Sequence, residues 1–213
     1  MKKILYSVAL AACCMGTMTS CSDFLDASNK SNVTDKQTFA TKEGFNSLVN
    51  DAYQHLQNVY AAPLFTSCFS AGTDMYADAR NKMNEALNTY ETLTPENTDI
   101  KNLYTYLYAG IRAANSVSYY AQTAQVDEKT KGQLVGEARV LAAYEYYLLV
   151  NNFGGVPIMK GFLTTAGTGY PKSSAEDVYA YIISELEDVI GKNVLQASTA
   201  TKGGGRISQE TAK

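Results

Sequence analysis

Residues Gly136 to Pro157 read GEARVLAAYEYYLLVNNFGGVP, and the prediction of the fold begins from this stretch. Wound at about 100° per residue, six apolar side chains fall within one broad stripe: Leu134, Ala138, Leu141, Ala142, Leu148 and Leu149. The stretch ends in a turn, because Gly154 and Gly155 permit positive φ and Pro157 cannot continue a helix. Glu145 lies inside the apolar stripe, where an unpaired charge is costly. The sequence therefore predicts a long buried helix that carries one anomalous acid.

Two interpretations of Glu145 follow from its position. In the structural interpretation, its carboxylate bonds to a tyrosine hydroxyl or to Arg112 on the facing helix. In the functional interpretation, it is a perturbed carboxylate that serves as an acid or a base. We favour the structural interpretation, because structural partners also perturb carboxylates.

Three further segments share the helical period. Apolar residues recur at helical spacing from Phe45 to Val59, and Thr41 is a plausible N-cap. A second segment covers about Ile100 to Ala121. The last follows Ser173-Ser174-Ala175-Glu176, which has the spacing of a capping box, and runs to Gly191. Together with the central helix, these segments predict an all-α fold of stacked helical hairpins of the tetratricopeptide-repeat type, with long loops.

Two stretches lack the helical period. Residues 61–99 are interrupted by Pro63, Gly72 and Pro95 and predict a long loop with one short helix around Asn81 to Leu87. Residues 156–163 predict at most one short extended segment. Long connections in compact proteins are usually functional or mobile, so the first loop is the natural place for a binding site.

The composition narrows the possible functions. The formal net charge of the 213 residues is −3, so no basic field exists to hold nucleic acid. The chain has 16 Tyr, 7 Phe and no Trp. A tyrosine joins an apolar ring to a polar hydroxyl and therefore suits half-exposed packing and polar ligands.

The N-terminus predicts export and lipid anchoring. Lys2 and Lys3 precede a short apolar run, and small residues lead to Cys21, so residues 1–20 read as a signal peptide. The pattern resembles a lipobox, in which the chain is cleaved before Cys21 and its thiol is acylated; a plain secretory signal is the alternative. Residues 21–37 would then form a lipidated tether, and residues 38–213 the helical domain.

The remaining cysteine and histidine content gives no reactive site. Cys13 and Cys14 leave with the signal peptide, Cys21 is blocked by lipid, and Cys68 has no partner for an intramolecular bridge. With His55 as the single histidine, neither a metal cluster nor a Cys-His nucleophile is predicted. We predict no metal and no cofactor.

Several motifs in order resemble the SusD/RagB family of nutrient-uptake lipoproteins of Bacteroidetes. The resemblance is carried by Glu137-Ala-Arg139 with the following tyrosines, by Phe153-Gly-Gly-Val-Pro157, by Ile111-Arg-Ala-Ala-Asn115 and by Gly205-Arg206. It covers nearly the whole chain. Members of this family are considerably longer, so the chain is interpreted as the N-terminal portion of such a protein.

The resemblance implies a non-enzymatic lipoprotein on the exterior of the outer membrane. Such a protein captures an oligosaccharide or another nutrient and passes it to a SusC-like TonB-dependent transporter. Asp23 and Asp26 resemble the acidic signal that exports such lipoproteins to the surface. The family often draws ligand contacts from the loop between the first two helices, which makes four residues candidates for ligand binding: Asp74, Tyr76, Asn81 and Tyr90.

Two other classes of function are compatible with parts of the sequence. Stacked helical hairpins form concave surfaces, so a protein-interaction scaffold at the cell envelope is the main alternative. A glycosidase would need two opposed carboxylates. The acids available for that role are Glu137, Glu145, Glu185 and Asp188, but helical carboxylates at such spacings usually form a solvated face. We therefore predict that the protein is not an enzyme.

Overall fold

The computed structural model describes residues 35–61, 63–76, 85–165, 167–201 and 205–213, and these residues form helices and loops without a β-strand. All of them belong to one unit, residues 35–213. The helices in the described ranges are α1 (Asp35–Ala40), α2 (Lys42–Tyr60), α3 (Leu64–Phe69), α4 (Glu85–Thr89), α5 (Thr98–Tyr120), α6 (Glu128–Phe153), α7 (Ala175–Lys192) and α8 (Ser198–Thr201). The predicted all-α fold is confirmed.

Helix α2 begins where the sequence predicts. The hydroxyl of Thr41 accepts a hydrogen bond from the backbone N–H of Gly44 at 3.1 Å, which caps the first turn. The side chains buried along α2 are Phe45, Leu48, Val49, Ala52 and Val59, so the predicted apolar stripe is the face that enters the core.

Helices α5 and α6 also carry side-chain caps. Asn97 accepts from the backbone N–H groups of Asp99 and Ile100, and Asp127 accepts from that of Thr130 at 2.9 Å. Helix α6 is buried on nearly every side from residue 134 to residue 150. Such a helix forms the centre of the fold instead of lying on its surface.

The two glycines after α6 have different physical roles. Gly154 adopts φ of 68°, which is the conformation that ends the helix. Gly155 has no positive φ, but a Cβ there would collide with the backbone oxygen of Ser173. The predicted turn is therefore confirmed, with one glycine needed for its backbone angles and the other for close approach.

The capping box of α7 lies one residue later than predicted. Ser174 accepts from the N–H of Asp177 at 3.0 Å, and the Asp177 carboxylate accepts from the N–H of Ser174. The prediction that paired Ser173 with Glu176 is wrong. An aspartate at the third helical position closes the same ring of hydrogen bonds, so the two overlapping patterns cannot be ranked from spacing alone.

Helices α2 and α6 run parallel and in register. The Tyr53 hydroxyl contacts Glu137, and the Tyr60 hydroxyl contacts Tyr144; each pair is separated by 84 residues. Helix α5 packs against both α2 and α6, and α7 packs against α6. Two helical hairpins, α2–α5 and α6–α7, are therefore stacked as in a helical repeat.

Three loop predictions need correction. Residues 61–99 are not one loop with one helix, because α3 occupies Leu64–Phe69 and buries Leu64 and Ser67. The short helix predicted around Asn81 to Leu87 is α4, Glu85–Thr89, and residues 77–84 lie outside the described ranges. The predicted tether overlaps α1, which begins at Asp35. Short helices escape periodicity analysis because one or two turns contain too few residues to show a period.

Candidate functional site

Aromatic side chains gather where α2 ends and α3 begins. The Tyr60 and Phe65 rings lie 5.4 Å apart between centroids, and the Phe65 and Phe69 rings are stacked at 5.3 Å. Tyr60 remains 43% exposed although its ring is packed. This row of rings therefore presents an apolar edge and a hydroxyl to solvent.

Two tyrosines of α6 extend this row. Tyr144 and Tyr147 are exposed on a helix that is otherwise buried in this region, and their rings are stacked at 6.2 Å with 23° between their planes. The hydroxyls of Tyr60 and Tyr144 are in direct hydrogen-bonding contact. Burial and this hydrogen bond raise the pKa of Tyr60 above its usual value, so its hydroxyl is neutral. We call the five residues Tyr60, Phe65, Phe69, Tyr144 and Tyr147 the aromatic surface.

The loop after Phe69 carries two of the candidate ligand residues. Asp74 is exposed and Tyr76 is 38% exposed. Tyr90 is 58% exposed and adopts a positive φ of 63° at the end of α4, and its hydroxyl donates to the backbone oxygen of Gly72 at 3.4 Å. The structure thus brings Tyr90 to the turn that precedes Asp74. Asn81, the fourth candidate, lies outside the described residues.

The aromatic surface contains tyrosines that no pattern in the sequence marks as exposed. Tyr144, Tyr146 and Tyr147 follow one another closely, but Tyr146 is fully buried and its hydroxyl accepts from the N–H of Met159. Which of the three faces solvent depends on the positions of α2, α5 and α7 around α6. No periodic signal in the sequence distinguishes them, because α6 has apolar residues on almost every side.

Three of the four carboxylates considered for glycoside hydrolysis are held in ion pairs. Arg139 bonds to Glu185 at 2.6 Å and also to Asp188, which joins α6 to α7. Lys192 and Arg139 hold the pKa of Asp188 below its ordinary value. Glu137 bonds to Arg206 at 2.8 Å. Glu185 and Asp188 thus stabilise the contact between α6 and α7. Glu137 stabilises the contact between α6 and the chain segment 205–213.

The Glu137 cluster joins motifs that are far apart in the sequence. Its fully buried carboxylate accepts from the Tyr53 hydroxyl at 2.8 Å, the Gln133 amide at 3.0 Å and Arg206 at 2.8 Å. The Arg206 guanidinium also lies 5.4 Å over the Tyr53 ring, and the Ile207 N–H donates to the Tyr53 hydroxyl. Glu137 of the Glu-Ala-Arg motif and Arg206 of the Gly-Arg motif therefore form one ion pair, in which the carboxylate is buried and the guanidinium is 29% exposed.

Within the described ranges, Glu145 lacks the hydrogen-bond partners of the structural interpretation. It is fully buried, and neither carboxyl oxygen has a hydrogen-bond partner among the described residues. The predicted bond to a tyrosine hydroxyl or to Arg112 is wrong. The carboxyl lies against Gly110 of α5, where a Cβ would collide with it. Burial raises the pKa of Glu145 well above its ordinary value, so the group is buried in its neutral form.

The other reactive groups of the described residues give no metal site. No three His, Cys, Asp or Glu side chains converge in the described ranges in a way that would hold an ion. Cys68 is half-buried, and burial, followed by the charge of Asp99, raises its pKa to about 11. Its thiol is therefore protonated at neutral pH and behaves as a small apolar side chain.

In the described ranges, no helix combines the length and apolar character of a bilayer-spanning segment.

Comparison with known proteins identifies relatives of the chain. Residues 23–202 match the model of a SusD-like family described as "Starch-binding associating with outer membrane". The SusD-like protein P38 of Formosa agariphila is 27% identical over 179 residues, which cover 82% of this chain and 34% of that protein.

Solved structures share the fold. Surface glycan-binding protein A from Bacteroides uniformis superposes with a TM-score of 0.67 at 27% identity, covering 80% of this chain and 39% of that one. Surface glycan-binding protein A from Bacteroides thetaiotaomicron, solved in complex with laminarihexaose, gives a TM-score of 0.61 at 21% identity, covering 81% and 37% of the two chains. The chain therefore spans between one third and two fifths of the length of these relatives.

Proposed function

Because the chain belongs to the SusD-like family, we propose that it captures a glycan at the outer membrane and passes it to a SusC-like TonB-dependent transporter. The family is described as starch-binding and associated with the outer membrane. One solved relative with the same fold holds laminarihexaose. The ligand of this chain, its site and its transporter are the parts that we propose.

The observation that supports the proposal is the exposed aromatic surface beside the candidate loop. A pyranose ring has C–H faces that stack on aromatic rings and hydroxyls that need polar partners. Tyr144 and Tyr147 offer two rings at a small interplanar angle, and Tyr60 adds a hydroxyl. We propose that a glycan chain lies along these rings and reaches the loop of Asp74 and Tyr76, with Asn81 and Tyr90 as further contacts.

Titration with oligosaccharides tests this site. Laminarihexaose and maltohexaose are titrated into the full mature chain by isothermal calorimetry. We expect at least one of them to bind, and the double substitution Tyr144→Ala with Tyr147→Ala to weaken that binding more than tenfold, which corresponds to about 1.4 kcal/mol. Both tyrosines are exposed, so the melting temperature of the double variant should stay within a few degrees of wild type.

The matched control is Tyr170→Ala. Tyr170 is 40% exposed and lies outside the aromatic surface. Its loss should leave the affinity unchanged. If the double variant binds as tightly as wild type, the glycan does not use the aromatic surface. If no oligosaccharide binds while a transporter is retained, the protein-interaction scaffold is the better description.

The anchor is a second part of the proposal. We propose that Cys21, which lies outside the described residues, carries the lipid, and that Asp23 and Asp26 direct export to the surface. Mass spectrometry of the mature protein should find a diacylglyceryl cysteine at the new N-terminus. Replacing both aspartates with alanine should leave the protein facing the periplasm, where protease added to intact cells does not reach it. Unchanged protease sensitivity would contradict the export signal.

Transfer to a transporter is tested by co-purification. A tagged chain extracted in mild detergent should retain a TonB-dependent transporter of the SusC type, and the Tyr144 and Tyr147 substitutions should not release it. This outcome would separate ligand capture from docking. Recovery of the tagged chain without any transporter would contradict transfer and leave glycan capture as a separate activity.

A further inference from the structure

A cleft lies on the side of α2 that faces away from the aromatic surface. It has a volume of about 350 Å³ and is lined by α1, α2, α5 and the loop that follows α6. His55 lines this cleft, while Tyr60 belongs to the aromatic surface. Five residues of an α-helix turn through about 500°, so these two side chains point about 140° apart. The volume lies within the range of about 300–1,000 Å³ that small-molecule sites occupy.

One wall of this cleft is polar. Asp51 and His55 come from α2, Arg112 from α5 and Asp35 from α1. The His55 Nε2 atom lies 3.8 Å from the Asp51 carboxylate, and its Nδ1 atom is buried without a hydrogen-bond partner in the described structure. Buried polar atoms in folded proteins nearly always have such partners. The imidazole therefore lines the cleft with its Nδ1 atom buried and unpaired, and it faces the Asp51 carboxylate through Nε2.

Aromatic side chains also line this cleft. The Phe162 ring lies 6.0 Å from that of Tyr120, which in turn lies 4.8 Å from that of Phe39. The Arg112 guanidinium lies 5.5 Å over the Phe162 ring and makes no hydrogen bond or ion pair with another described residue. A planar cation held by a ring, with its N–H groups uncommitted, is placed to donate to an oxygen-rich ligand.

We propose that this cleft binds one neutral hexopyranose unit. Aromatic rings suit the C–H faces of a sugar, while carboxylate, imidazole and guanidinium groups suit its hydroxyls. An acidic sugar is disfavoured, because the described lining of the cleft has two carboxylates, Asp35 and Asp51, and one permanent cation, Arg112. The proposal deepens the proposed function, since it rests on glycan binding and adds a second sugar site that does not share residues with the aromatic surface.

The single histidine of the sequence gives a direct probe of this cleft. Methyl glucoside, methyl galactoside and methyl mannoside are titrated separately into the isotope-labelled full chain, and the imidazole signals of His55 are followed by NMR. We expect at least one methyl hexoside to shift these signals in a saturable manner. Asp51→Asn and Arg112→Gln should each weaken this binding at least tenfold. Both side chains are exposed, so neither variant should lower the melting temperature appreciably.

Two controls separate this site from the aromatic surface. Lys101→Gln removes an exposed cation elsewhere on α5 and should leave the shifts unchanged. The Tyr144 and Tyr147 double variant should also bind the methyl hexoside as wild type does. If none of the three sugars shifts His55, or if the Asp51 and Arg112 variants bind as wild type does, the cleft proposal is wrong. The aromatic surface fails separately, when the double variant does not weaken binding of the hexasaccharides.

Discussion

The two buried acids of α6 lie eight residues apart and are stabilised in opposite ways. Glu137 and Glu145 are both fully inaccessible to solvent. Glu137 accepts from three side chains, one of them the guanidinium of Arg206. Glu145 has no partner in the described structure and lies against Gly110. One acid is thus buried as a paired ion and the other as a neutral carboxyl group.

The difference follows from which segment covers each end of α6. At Glu137, the neighbouring helix α2 presents a tyrosine hydroxyl, and the segment 205–213 brings an arginine across. At Glu145, helix α5 presents a glycine, and no donor from the described part of the chain bonds to the carboxyl group. A carboxylate is buried only if hydrogen bonds and a countercharge replace its water; otherwise it takes up a proton. Glu137 therefore fixes the segment 205–213 to α6. Glu145 instead fills space between α6 and α5.

The largest effect on the free energy of unfolding is expected when the ion pair between Glu137 and Arg206 is broken. Arg206→Met should lower the free energy of unfolding by about 3 kcal/mol, because it leaves the Glu137 charge buried without its countercharge. Urea denaturation at neutral pH measures the loss. In the double variant with Glu137→Gln, most of the loss should be recovered. A drop of less than about 0.5 kcal/mol for Arg206→Met would mean that the pair contributes no more than a surface ion pair.

The next largest effect on stability is expected at Glu145 and has the opposite sign. Glu145→Met should raise the free energy of unfolding by about 2 kcal/mol at neutral pH, since a buried polar group without partners is removed. Calorimetry or urea denaturation measures the gain. Retained glycan binding in this variant would also speak against the acid–base interpretation of Glu145.

The pH dependence of stability tests whether the buried carboxyl group of Glu145 is neutral in the folded chain. Its pKa is raised in the folded chain by burial, whereas the unfolded chain keeps a pKa near 4.5. Below that value both states are protonated and the group costs no ionisation energy. As the pH rises above 4.5, the unfolded state releases the proton first, so wild-type stability falls relative to Glu145→Gln. Parallel stability curves of the two proteins from pH 4 to pH 8 would contradict a buried neutral carboxyl.

Substitution of Gly110 tests the contact between α5 and the Glu145 carboxyl group. Gly110→Ala should destabilise the fold by about 1.5 kcal/mol, because the added Cβ collides with the Glu145 carboxyl. In a Glu145→Ala background the same change should be nearly neutral or stabilising. Gly191→Ala is the matched control, since no atom lies within 4 Å of its Cβ position in α7. That control should stabilise the chain by about 0.5 kcal/mol through helix propensity.

The smallest expected effect concerns one hydroxyl at the paired end. Tyr53→Phe removes one of the donors to Glu137 and the acceptor of the Ile207 N–H. We expect a loss of about 1 kcal/mol, because Arg206 and Gln133 remain bound to the carboxylate. Chemical denaturation measures it, and Tyr170→Phe, an exposed tyrosine elsewhere, should change stability by less than about 0.3 kcal/mol.

Residues with local signals were predicted well. The N-cap Thr41 and the glycine turn after α6 lie where the sequence indicates, because capping and positive φ depend on a few adjacent residues. The helix α3 was missed, since six residues show no period. The partners of Glu145 were predicted wrongly, because the side chain that faces it across α5 depends on how two helices are rotated against each other.

The helical class, the approximate positions of the four long helices and the family follow from the sequence alone. These properties rest on periodicity, caps and ordered motifs, each of which acts over short distances or matches a known pattern. Only the tertiary structure decided that Tyr144 and Tyr147 are exposed while Tyr146 is buried, and that Glu137 meets Arg206. Those outcomes depend on the rotation and register of helices that are distant in the chain, and the free energy that sets them comes from packing between the helices and not from any one segment.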